Sequence, residues 1–202
     1  GNPYKNVEKV AKKVYKYDNS SRIIETAYYD TDGKPCLSIY ENYMEMKKYD
    51  ERGNMTEISY YDTDNKLCAT YKGCIVTSYN KIDYITRRIV NEVSQRVELS
   101  EIKNCAKTIY KYNERGNKTE ESYYDVNDKL CNNEMESAIV RYKYDRFNNI
   151  IEESHFGIDK LPCLNKYGYS IEKSIYNYTT CIERSYYGIT GEPCCCDLFL
   201  NY

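Results

Sequence analysis

Residues 49–68 read YDERGNMTEISYYDTDNKLC, and residues 112–131 read YNERGNKTEESYYDVNDKLC. Two stretches this alike in one chain mark an internal repeat, and a repeat decides the architecture before any single residue does. Three more copies lie around them. Residues 17–36 are YDNSSRIIETAYYDTDGKPC, residues 144–163 are YDRFNNIIEESHFGIDKLPC, and residues 176–194 are the shorter YNYTTCIERSYYGITGEPC. Tyr17 and Tyr49 stand 32 residues apart, which sets the length of the unit.

The interval from Tyr49 to Tyr112 is 63 residues, room for one more unit. The stretch from Tyr79, YNKIDYITRRIVNEVSQRVEL, is read as that unit in degenerate form, with Leu99 at the cysteine position. Ala106 then becomes equivalent to Tyr43, Ala138 and Ser170. The spacing also runs off the front, where Gly1-Asn2-Pro3-Tyr4 matches Gly33-Lys34-Pro35-Cys36. The expected organisation is one array over 1–202, with a partial unit at 1–16 and repeats starting near 17, 49, 79, 112, 144 and 176. Neither end carries a capping pattern, so the array is expected to continue into a longer one or to be flanked by other domains.

Each unit holds two strand-like runs. Met44 to Tyr49 and Thr56 to Tyr61 both alternate apolar with charged or polar side chains, the period of a half-buried strand. Between them, Gly53 and Gly116 share one repeat position with Asn148. Gly and Asn tolerate the positive φ that a tight hairpin turn needs. A second turn follows at Gly33 and its equivalents, and the stretch after each cysteine adds a further strand or an irregular return.

Charge limits how the units stack. Glu25, Glu57, Glu120 and Glu152 are equivalent positions. At the ~4.8 Å spacing of adjacent strands they would form a like-charge ladder. Two or three strands per unit would instead separate them by roughly 10–15 Å. The expected fold is therefore all-β, an elongated tandem array of antiparallel β-hairpins with about six units, ribbon-like rather than a narrow β-helix.

The Tyr-Asp-x-x-Gly-Asn turn, the Tyr-Tyr-Asp strand end and the Gly-Lys-Pro-Cys turn resemble bacterial YD repeats of the RHS kind. The closer likeness is to long, cysteine-containing variants, which Gly157 to Tyr169 (GIDKLPCLNKYGY) shows best. The resemblance covers nearly the whole chain and is weakest between Tyr79 and Cys105; ordinary YD repeats have a shorter period. It implies β-hairpin arrays in large bacterial surface or secreted proteins, some of which bind carbohydrate or encase a toxin. It implies no catalytic residues.

Composition excludes several classes of function. The chain has 26 Tyr against 3 Phe and no Trp; its charged residues make up 30% but nearly cancel, at a net charge of −2. A nucleic-acid partner, which calls for a clustered basic face, is not expected. No apolar stretch approaches the ~18–20 residues that cross a bilayer, so membrane insertion is not expected. No Walker-type or dinucleotide-binding Gly-rich loop occurs, and no cofactor is expected.

The titratable residues fit the repeat. His155 occupies the position of Tyr28, Tyr60, Tyr123 and Tyr186, an aromatic-for-aromatic exchange rather than an acid–base centre. Cys36, Cys68, Cys131, Cys163 and Cys194 recur once per unit and read as a buried structural row, too far apart to bridge one another. Cys74, Cys105, Cys181, Cys195 and Cys196 fall outside that row, and Cys68 with Cys74, or Cys181 with a terminal cysteine, could pair in an oxidising compartment. Adjacent cysteines at 194–196 point to opposite faces of a strand, so metal is not expected. Asp30, Asp32, Asp62, Asp64, Asp125 and Asp128 lie in turns without the ligand ladder of a calcium loop.

The tyrosine pairs remain as the candidate binding surface: Tyr28 and Tyr29, Tyr60 and Tyr61, Tyr123 and Tyr124, Tyr186 and Tyr187. Each pair sets one ring on each face of the sheet. The expected function is a non-enzymatic scaffold or protein-binding surface, with carbohydrate binding by exposed tyrosine rows as the alternative. A surface or secreted location follows from the resemblance, and a cytoplasmic one would follow if all cysteines are free.

Overall fold

The computed structural model describes residues 10–70 and 105–194, together with two short strands at 81–82 and 89–90. The architecture is all-β, as the alternation predicts. Ten antiparallel strands form a single open sheet in the order β1-β2-β3-β4-β7-β8-β9-β10-β11-β12. They are β1 (Lys12–Tyr17), β2 (Ile23–Tyr29), β3 (Met44–Tyr49), β4 (Met55–Tyr61), β7 (Lys107–Tyr112), β8 (Lys118–Tyr124), β9 (Ile139–Tyr144), β10 (Ile150–Phe156), β11 (Ile171–Asn177) and β12 (Thr180–Tyr187). β5 (Lys81–Ile82) pairs only with β6 (Ile89–Val90). Ten strands at ~4.8 Å make the sheet about 43 Å across, longer than any of its strands.

Each unit contributes two strands, a and b, joined by a hairpin. β4 pairs directly with β7, Glu57 opposite Ile109 and Ser59 opposite Lys107. The Tyr60 N–H donates to the Ala106 carbonyl at 2.9 Å, just as Tyr28 donates to Tyr43, Tyr123 to Ala138 and His155 to Ser170. The unit read from Tyr79 therefore places no strand between β4 and β7, and most of it lies outside the described residues.

One kind of turn recurs at three places in the unit among the described residues; the β11–β12 hairpin is instead a two-residue turn, with Asn177 opposite Thr180. In the a–b hairpin, the Asp50 Oδ1 accepts the N–H groups of Arg52 and Asn54 at 3.0 and 2.8 Å. Asp18, Asn113 and Asp145 do the same two and four residues on. After strand b, Asp30, Asp62 and Asp125 repeat the arrangement. A third turn leads into the next unit, with Asn133 bonded to the N–H groups of Met135 and Ser137, and Asn165 to those of Tyr167 and Tyr169. The stretch after Cys36, Cys131 and Cys163 is thus a turn of the same type, where a strand or irregular return was expected; the stretches after Cys68 and Cys194 lie largely outside the described residues. Asx side chains close turns by this local bonding. The fourth residue of each turn has positive φ, +91° at Gly53, +81° at Gly116 and +67° at Asn148.

The core is thin because one sheet has no second layer. Many of its buried apolar residues are small or amphipathic, such as Ala27, Tyr28, Cys36, Ala106, Ala138 and Tyr169, with Ile58, Ile139 and Val140 as buried aliphatic ones. Long polar side chains cover the rest. Lys16 meets Glu25, Lys48 meets Glu57, Lys111 meets Glu120 and Lys143 meets Glu152, at 2.7–3.0 Å across each hairpin. The glutamate row thus has a lysine opposite each member, and successive glutamates are two strands apart. Each such pair adds little on an exposed surface, but together they remove the like-charge penalty of the repeat.

Candidate functional site

The tyrosine pairs split between the two faces, as residues adjacent on a strand must. Tyr28, Tyr60, Tyr123 and Tyr186 lie on one face. Tyr28 is buried, and the other three are half-buried. Burial pushes the hydroxyls of Tyr28, Tyr60 and Tyr123 above the ordinary tyrosine range, with carboxylates such as Glu45 and Glu121 adding to the shift. The Tyr123 hydroxyl donates to Glu121.

On the opposite face, Tyr29, Tyr61, Tyr124 and Tyr187 are half-buried as well. Lys107 lies over the Tyr124 ring at 5.0 Å and Lys173 over Tyr187 at 4.9 Å, cation–π geometry in both cases. Tyr29 instead meets Tyr43 edge-on, and the Tyr43 hydroxyl donates to the Tyr29 hydroxyl at 2.9 Å. Tyr28, Tyr29, Tyr124, Tyr186 and Tyr187 thus have ring contacts with side chains of neighbouring strands or turns.

His155 sits in the first row and is 1% exposed. The Asn165 Oδ1 is taken by the two N–H groups of its turn, which leaves its amide nitrogen 3.1 Å from His155 Nε2. The ring's other nitrogen, Nδ1, lies 2.9 Å from the Ser137 hydroxyl. Glu153 stands 3.3 Å from Nε2. Ser137, His155 and a carboxylate resemble parts of a nucleophilic site, yet Ser137 and His155 are both buried, and of the three only the Glu153 side chain reaches solvent. The imidazole ties two turns to a strand.

The row cysteines occupy one place in every unit. The N–H groups of Cys36, Cys68, Cys131, Cys163 and Cys194 donate to the carbonyls of Tyr28, Tyr60, Tyr123, His155 and Tyr186, at 2.9–3.1 Å. Cys36 is buried and the other four are half-buried. Burial raises the Cys68 thiol to about 11. Among the described residues, no group of three or more His, Cys, Asp or Glu side chains is arranged to hold a metal ion. Nor is there, among those residues, a helix long and apolar enough to cross a membrane.

Exposed apolar side chains gather elsewhere, on the long edge of the sheet that carries the second and third turns. Val126, Ile158 and Ile189 hold the same position in three successive units, directly after the first residue of the second turn, and are 47%, 62% and 47% exposed. Leu37 and Leu164, each following a row cysteine, are exposed on the same edge, as is Leu161. Two strands separate one unit's turn from the next, so the row repeats at about 10 Å. Sequence alternation points to strand faces and overlooked this edge. The available signal was an aliphatic residue at 126, 158 and 189, where units 1 and 2 have Thr31 and Thr63 and the turn itself requires no apolar group.

No protein-family model matches the chain, and no curated protein matches it.

Proposed function

We propose that the chain is a non-enzymatic scaffold whose turn edge binds a protein partner, as part of a larger bacterial surface or secreted protein. The observation that carries this reading is the regular row of Val126, Ile158 and Ile189, held out on hydrogen-bonded turns. Apolar side chains presented in line beyond the core mark an interaction site, and a repeat array spreads such a site along its length. The half-buried state of the tyrosine pairs lends no support to stacking on sugars, so protein binding is preferred to carbohydrate binding.

A photocrosslinking amino acid placed at Ile158, with a second placed at Lys143 on a strand, tests the reading in cells that produce the protein. The expected result is one defined protein adduct from position 158, none from 143, and loss of the adduct when Val126 and Ile189 become Asp. Glycan binding abolished by Tyr124→Ala, or turnover of a substrate by the purified chain, would overturn it.

A further inference from the structure

We propose that Cys105 and Cys131 are an oxidisable thiol pair that closes a disulfide over the end of β8, at the seam where the repeat array is interrupted. Their sulfurs lie 2.9 Å apart, inside the contact distance of two unbonded sulfurs and less than ~1 Å beyond the bonded length of about 2.05 Å. Both backbones are held. Ala106, next to Cys105, donates its N–H to the Tyr124 carbonyl at 2.9 Å and accepts from Tyr60 at 2.9 Å. The Cys131 N–H donates to the Tyr123 carbonyl at 3.0 Å. The two cysteines are therefore pinned to consecutive residues of one strand, from opposite sides.

The pair belongs to this seam. At the place of Cys105, two residues before strand a begins, the other units carry Asn42, Ser137 and Tyr169. Among the described residues, a second thiol meets a row cysteine where the chain returns after residues 71–104. A covalent link here would fasten the segment before β7 to the segment after β8, within the unit that follows residues 71–104.

The sulfurs are unequal, which sets the order of events. Cys131 is half-buried and Cys105 is buried. The hydrogen bond between them holds the Cys131 thiol below the usual range and the Cys105 thiol well above it. With a small disulfide such as oxidised glutathione as the oxidant, the Cys131 thiolate attacks one of its sulfurs. A mixed disulfide forms and one glutathione thiolate leaves. Cys105 then attacks Cys131 Sγ, gives up its proton and expels the second glutathione. Two protein thiols are oxidised and one glutathione disulfide is reduced to two thiols.

The test is oxidation of the reduced, folded full chain with graded glutathione disulfide, quenched by alkylation and read by peptide mapping. The expected first product is a linked pair of peptides containing Cys105 and Cys131. In Cys105→Ser the Cys131 glutathione adduct should persist, and in Cys131→Ser Cys105 should stay alkylatable after unfolding. The wild-type map alone can overturn the proposal. It does so if Cys131 accumulates as the glutathione adduct, pairs with another cysteine, or stays a free thiol with Cys105 while others oxidise.

Discussion

The Tyr112 hydroxyl donates a hydrogen bond of 2.8 Å to the Met55 carbonyl, 57 residues earlier in the chain. Tyr49 reaches Ile23 in the same way at 3.0 Å, and Tyr144 reaches Lys118 at 2.6 Å. In these three units the tyrosine of the Tyr-Asp or Tyr-Asn pair ends strand a and fastens it to the start of strand b in the unit before. The most regular residue of the repeat is therefore a clamp between units. The Tyr112 clamp joins β7 to β4, across the segment that adds no strand to the sheet.

Replacing Tyr112 with Phe keeps the ring and removes only the clamp. The expected loss is about 1 kcal/mol of stability, the net worth of one hydrogen bond. Chemical denaturation of the variant against the parent protein measures it. Tyr17, exposed on edge strand β1, is the control, and Tyr17→Phe should cost less.

His155 is predicted to matter for stability. Phe at this position fills a similar volume but leaves the Asn165 amide nitrogen without its His155 partner in a buried site, and the Ser137 hydroxyl with only a 3.4 Å bond to the Met135 carbonyl. An orphaned buried group costs about 1–3 kcal/mol, so His155→Phe should destabilise the chain by about 2 kcal/mol. An unchanged unfolding midpoint would show that the imidazole is not the tie described.

Stability should fall at both ends of the pH range. Asn54 and backbone N–H groups hold Asp50 below the usual carboxylate range, and backbone N–H groups do the same for Asp18 and Asp125. Burial works against ionisation of Glu120, but Lys111 and Arg141 outweigh it and lower its pKa. Carboxylates with a depressed folded pKa contribute stability above their unfolded pKa, near 4, and lose it as pH falls through the folded value. Tyrosines behave in the opposite sense. Burial raises Tyr110 to about 12, and burial with the Tyr29 hydroxyl raises Tyr43 to about 12. Their contribution is complete below about pH 10, the unfolded value, and is lost as pH rises through the folded one. Denaturation midpoints from pH 2 to 12 should trace a plateau with falling shoulders, and phenolate absorbance should still be rising near pH 12 as Tyr43 and Tyr110 ionise.

The two-strand unit was legible because alternation and a Gly or Asn turn are local features, both plain in residues 49–61. The third turn was not. Its sequences, SIYEN, NEMES and NKYGY, share few residues. Its geometry asks only for a side-chain oxygen at Asn133 or Asn165 and a residue that accepts positive φ, here Glu41, Glu136 or Gly168. Alternation likewise assigned the tyrosine pairs to opposite faces but could not say what covers them. The covering groups, Lys107 and Lys173, come from neighbouring strands and depend on register. A 63-residue interval also has two readings, a further unit in the sheet or an excursion from it. Only the non-local pairing of β4 with β7 separates the two.

That pairing is the centre of the account, and a through-hydrogen-bond NMR coupling reads it directly. The Tyr60 amide nitrogen should correlate with the Ala106 carbonyl carbon, since the two groups are bonded at 2.9 Å. Its observation would establish a continuous ten-stranded sheet that closes over residues 71–104. A correlation from Tyr60 to a carbonyl within 71–104, or a Tyr60 amide that exchanges freely with water, would contradict it.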